Sequence, residues 1–83
     1  MKVLVADDDD LARRMLGALL SEAGYEVVLA GDGRAALAAL GAHPVDCIVL
    51  DIMMPGLSGL DVLRQVRAQG NTPVLLLSAL QAD

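Results

Sequence analysis

The chain has 83 residues, of which 55% are hydrophobic and only 1% aromatic, and carries a net charge of −5. These values describe one small domain with an aliphatic core and no basic surface for nucleic acid. The single cysteine, Cys47, excludes an internal disulfide framework and fits a reducing, cytoplasmic setting. The apolar run after Lys2 stops at Asp7, too short for the apolar region of a signal peptide, and no stretch approaches a bilayer span.

The segment KVLVA, Lys2 to Ala6, is a continuous apolar run, the pattern of a strand buried on both faces of a parallel sheet. Four aspartates follow, Asp7 to Asp10. Next, Leu11, Met15, Leu19 and Ala23 recur at helical spacing, joined by Leu16 and Leu20. They are expected to face the core, with Arg13, Arg14 and Glu22 on the other side. Gly24 is a candidate helix stop. Tyr25 to Ala30 reads as a second strand. Asp32 is placed to cap a second helix, with Gly41 and Pro44 as its stop signals. Val45 to Asp51 reads as a third strand, and Pro55, Gly56 and Gly59 break the loop after it. Ser58 and Asp61 have the spacing of a capping box. They open a third helix, about Leu60 to Gln69, with Leu60, Leu63 and Val66 on one side. TPVLLLSAL is a fourth, strongly apolar strand.

The order β-α-β-α-β-α-β implies parallel strands joined by right-handed crossovers, an α/β layered sheet. Ligands of such sheets bind beyond the carboxyl ends of the strands. Strand one ends in Asp7 and Asp8, strand three in Asp51, and strand four near Ser78. If strands one and three are neighbours, three carboxylates converge, and their mutual repulsion is relieved by a divalent cation. Oxygen ligands select Mg2+ or Mn2+. The competing reading of the acidic run is helix capping and compensation of the helix dipole. Asp51 has no such capping explanation. His43, alone of its kind, sits in a helix-to-strand loop as a surface residue.

The combination resembles the receiver domain of two-component response regulators. The matching segments are KVLVADDD, AGYEV, DGRAAL, VDCIVLDIMMPGLSGLDVLRQVR and TPVLLLSA, with LDIMMPGLSG the most specific. The resemblance implies a flavodoxin-like open parallel sheet with strand order 2-1-3-4. It implies that Asp51 is the phosphoacceptor and that Asp7 and Asp8 are the acidic pair. Asp8 would contact Mg2+ directly and Asp7 largely through water. The Met53 backbone carbonyl would be a further ligand, and Ser78 the switch hydroxyl. Asp9 is expected at the start of helix one and Asp10 facing solvent in its first turn.

The family's fourth helix, fifth strand and fifth helix have no counterpart in residues 1–83, which are therefore expected to be the N-terminal part of a receiver domain. The lysine that the family places at the end of strand five, where it stabilises phosphoryl charge, is missing with them, and impaired switching is expected. The implied function is that of a non-enzymatic signalling module accepting a phosphoryl group from a histidine kinase. A downstream effector domain, not this segment, would contact DNA, and no membrane partner is expected. The alternative is a non-signalling assembly module that dimerises through an exposed fourth strand. A phosphatase-type hydrolase is disfavoured, because Ile52 and Met53 stand where a catalytic acid would follow the nucleophile.

Overall fold

The structure is a computed structural model and describes residues 1–77. Its elements follow the expected alternation: β1 (Lys2–Ala6), α1 (Asp10–Glu22), β2 (Glu26–Ala30), α2 (Gly33–Ala42), β3 (Cys47–Asp51), α3 (Gly59–Gln69) and β4 (Val74–Leu77). The four strands form one parallel sheet in the order β2-β1-β3-β4. The central β1 pairs with β2 through Val3↔Val27 and Val5↔Leu29, and with β3 through Leu4↔Ile48 and Ala6↔Leu50. This register brings the ends of β1 and β3 level, which the site requires.

Alternation along the strands divides the core in two. On one face Leu4, Ala6, Ala30, Ile48 and Leu50 pack with Ala36 of α2 and with Val62 and Val66 of α3. On the other, Val3, Val5 and Val49 pack with Leu16 and Leu20 of α1. Both strands of the β1–β3 pair are thus apolar on each side, as their unbroken hydrophobic runs predict.

Four sequence expectations shift. In α1 it is Leu16, Gly17 and Leu20 that face the sheet, while Leu11, Met15 and Leu19 are 66%, 56% and 63% exposed. The apolar arc of this helix is wider than the sheet beneath it, because among the described residues α1 packs mainly over β1 and β2. On that same face Leu75, the register partner of Val49, is 57% exposed. In α3 the inward stripe is Gly59, Val62 and Val66, and Leu60 is exposed. The second helix runs through Gly41 to Ala42 and is capped at His43, whose N–H bonds to the Ala39 carbonyl. Strands two and three start later than expected. Tyr25 still belongs to the closing turn of α1, its N–H bonded to the Leu20 carbonyl at 3.1 Å, with Gly24 at φ 101° supplying the left-handed step.

Candidate functional site

The four aspartates after β1 take separate places. Asp7 is the last residue tied into the sheet, its N–H donating to the Ala30 carbonyl at 3.1 Å, and its side chain is buried. Asp8 is exposed beside it. Asp9 is the N-cap of α1: its Oδ1 accepts from the N–H groups of Leu11 and Ala12 at 3.0 and 3.3 Å. Asp10 lies in the first turn, exposed, and pairs with Arg13 and Arg14. The capping and clustering readings of the run therefore each account for half of it. An acid in the first helical turn also complements the helix dipole.

Asp51 ends β3 as the neighbour of Leu77 in β4. The loop behind it is held by main-chain bonds: Ile52 N–H to the Leu77 carbonyl at 2.9 Å, Met54 N–H to the Ile52 carbonyl at 3.2 Å, and Gly59 N–H to the same carbonyl at 3.0 Å. Met54 is buried and anchors the loop, whereas Met53 is exposed. A capping box then starts α3. Ser58 Oγ accepts from Asp61 N–H at 3.3 Å, and Ser58 N–H donates to Asp61 Oδ2 at 3.1 Å.

These elements bring Asp7, Asp8 and Asp51 together, with one carboxylate oxygen from each within 4.8 Å of the others. They line a cleft of about 350 Å3 with Asp9, Ala12, Met53 and Leu77. Among the described residues, no lysine or arginine forms an ion pair with any of the three. Partial burial raises the Asp51 pKa above its ordinary value. The N–H of Met53, which donates to Asp51 Oδ1 at 3.1 Å, opposes this, while the charge of Asp7 and contacts with Asp7 and Asp8 add to it. An uncompensated triad of this kind suits a hard divalent cation, which takes carboxylate oxygens and keeps several waters.

Of the residues expected at the site, Asp7, Asp8, Asp51 and Met53 meet at one cleft. Ser78 lies outside the described residues. Periodicity puts Arg13 on the solvent side, yet its Nη1 donates to the main-chain carbonyl of Asp7 at 2.9 Å. The only sequence signal for it is its place three residues after Asp10, which Arg14 nearly shares. His43 is exposed, as expected, and precedes β3 at the end opposite Asp51. No helix among the described residues is long and apolar enough to cross a membrane.

Comparison with known proteins agrees on one family. The family model described as the response regulator receiver domain matches residues 3–83. The response regulator MprA of Mycolicibacterium vanbaalenii is 48% identical over 80 residues, covering 95% of this chain and 35% of that protein. The chain spans about a third of the length of the curated relatives it matches. Among solved structures, the receiver domain of the Francisella response regulator 1452 superposes with a TM-score of 0.89 at 43% identity, over 98% of this chain and 68% of that one. TrrA from Thermotoga maritima, solved in complex with Mg2+ and BeF, superposes with a TM-score of 0.89 at 37% identity, over 96% and 70%.

Proposed function

Because this chain belongs to the response regulator receiver-domain family, we propose that Asp51 accepts a phosphoryl group from the phosphohistidine of a kinase, with Mg2+ or Mn2+ held beside it. The observation that carries this reading is the convergence of the Asp7, Asp8 and Asp51 carboxylates, with no cationic side chain paired to them among the described residues. Asp8, Asp51 and the Met53 carbonyl would hold the cation directly and Asp7 through water. Once bound, it would neutralise charge on the phosphoryl oxygens.

The remaining chemistry belongs to the chain. An Asp51 carboxylate oxygen attacks phosphorus and the P–N bond of the donor breaks. Its electron pair returns to the imidazole, which takes a proton from solvent. The Met53 N–H orients the attacking carboxylate from one side. Loop main-chain bonds on Ile52 keep it at the open end of the sheet. Ser78, which follows Leu77 in the sequence, is the proposed switch hydroxyl. The chain is read as the N-terminal part of a receiver domain, consistent with its 68% coverage of the Francisella receiver domain.

The test is intact-mass measurement after incubation with Mg2+ and acetyl phosphate. One phosphoryl adduct is expected, abolished by EDTA and by Asp51→Asn. No adduct on a folded wild-type chain defeats the proposal.

A second reading, assembly through β4 and the adjoining face, is favoured by the exposure of Leu11, Met15, Leu19 and Leu75. Exposed apolar side chains grouped on one helix stripe, as Leu11, Met15 and Leu19 are, mark interaction sites. The two readings separate on the adduct: an assembly module would associate without it.

A further inference from the structure

We propose that Arg13 is a positioning residue for the cation site, holding the Asp7–Asp8 segment in its ligating arrangement. The inference rests on the reading of Asp7, Asp8 and Asp51 as a divalent-cation site. Two consecutive arginines share one acidic partner, since both Arg13 and Arg14 reach Asp10. They differ in everything else. The Arg14 side chain is 74% exposed, the Arg13 side chain only 20%. Arg13 Nη1 donates to the Asp7 carbonyl at 2.9 Å, while its Nη2 donates to the Asp10 carboxylate. A β-carbon on Gly31 would sit 3.4 Å from Nη1, so the guanidinium also lies against the turn that follows β2. One planar group thus joins the ends of β1 and β2 to the first turn of α1.

The consequence falls on Asp8. The Asp7 N–H is fixed by Ala30, and Asp7 Oδ1 accepts from the Asp9 N–H at 2.9 Å. Arg13 fixes the third group, the Asp7 carbonyl, and with it the plane of the peptide that leads into Asp8. The Asp8 carboxylate accepts no hydrogen bond from the backbone or from a cationic side chain among the described residues. Apart from its contact with Asp51, it is placed in the cleft by its own backbone, and rotation of the Asp7–Asp8 peptide would swing it out. Groups that orient ligands without touching the metal affect its affinity in this way.

The sign of the effect separates positioning from simple charge. A guanidinium near three carboxylates repels an incoming cation, so deleting its charge alone would tighten binding. Loss of positioning weakens it. The experiment measures Mn2+ affinity, by the electron paramagnetic resonance signal of free Mn2+ at constant ionic strength. Wild type is compared with Arg13→Ala, Arg13→Lys and Arg14→Ala, with circular dichroism as the check on folding. The expected result is a Kd about tenfold higher in Arg13→Ala. Arg13→Lys, which keeps a donor, falls between, and Arg14→Ala binds as wild type or slightly tighter. An increase below about threefold in Arg13→Ala, or a decrease, overturns the proposal. Should that variant fail to fold, Arg13→Gln is judged by the same threshold. A wild-type chain that binds no Mn2+ overturns the cation reading itself, an outcome distinct from tight binding that ignores Arg13.

Discussion

Gly59 lies so close to the main-chain carbonyl of Asp51 that a β-carbon there would overlap it. The first residue of α3 is thereby pressed against the end of β3, and the phosphoacceptor candidate sits where that contact places it. Gly59→Ala gains about 1 kcal/mol of helix propensity at most, but must push α3 away from β3, a cost of about 1–3 kcal/mol. The strain wins. Urea denaturation is expected to show a lower midpoint with an unchanged slope, and a midpoint at or above wild type would show that the loop yields freely.

Asp51 gives the stability of the metal-free chain a distinctive pH dependence. Its pKa is raised from 3.8 by burial first, and by Asp7 and Asp8 as well. The folded state therefore holds this proton more tightly than the unfolded state does. The stabilisation is fully present below the unfolded value and is lost as pH rises through the folded one. Asp51→Asn removes the loss. Melting temperatures of wild type and variant in EDTA should differ least near pH 4, with the variant gaining on wild type as pH climbs toward 7. A gap that stays constant across that range would contradict the assignment.

Divalent cation should reverse the penalty. Ligand at about 100 times its Kd stabilises the folded chain by about 2.7 kcal/mol. Thermal melts with saturating Mg2+ at pH 7 are expected to show this gain in wild type and little of it in Asp8→Asn. An equal gain in both would point to nonspecific ion effects.

The exposed stripe on α1 leads to a prediction about association. A polypeptide of these 83 residues should show an apparent mass that rises with concentration in light scattering. Replacing Met15 and Leu19 by glutamine should suppress the rise, because both side chains are more than half exposed on one helix stripe. A wild-type chain that stays monomeric throughout would remove the case for assembly.

Much of this architecture was legible in the residues. Unbroken runs such as Lys2–Ala6 and Cys47–Asp51 specify strands buried on both faces. The caps Asp9, Asp32 and Ser58 mark where helices start. What periodicity did not convey was which part of an apolar arc meets the sheet. Leu11, Met15 and Leu19 look as core-like as Leu16 and Leu20, and only the position of α1 over β1 and β2 separates them. Arg13 was hidden for the same reason. A charged residue reads as solvated until a carbonyl such as that of Asp7 is seen to take its guanidinium. The convergence of Asp7, Asp8 and Asp51 could be anticipated only by assuming that β1 and β3 are neighbours, which their register bears out.

The most direct test of the central claim locates the modified atom. An acyl phosphate on a carboxylate is reduced by borohydride to the corresponding alcohol, whereas a free carboxylate is not. The chain would be incubated with Mg2+ and acetyl phosphate, reduced, digested and mapped by tandem mass spectrometry. The account predicts reduction of the side chain at Asp51 alone, dependent on Mg2+. Reduction at Asp7 or Asp8, or at no site in a folded chain, would contradict it.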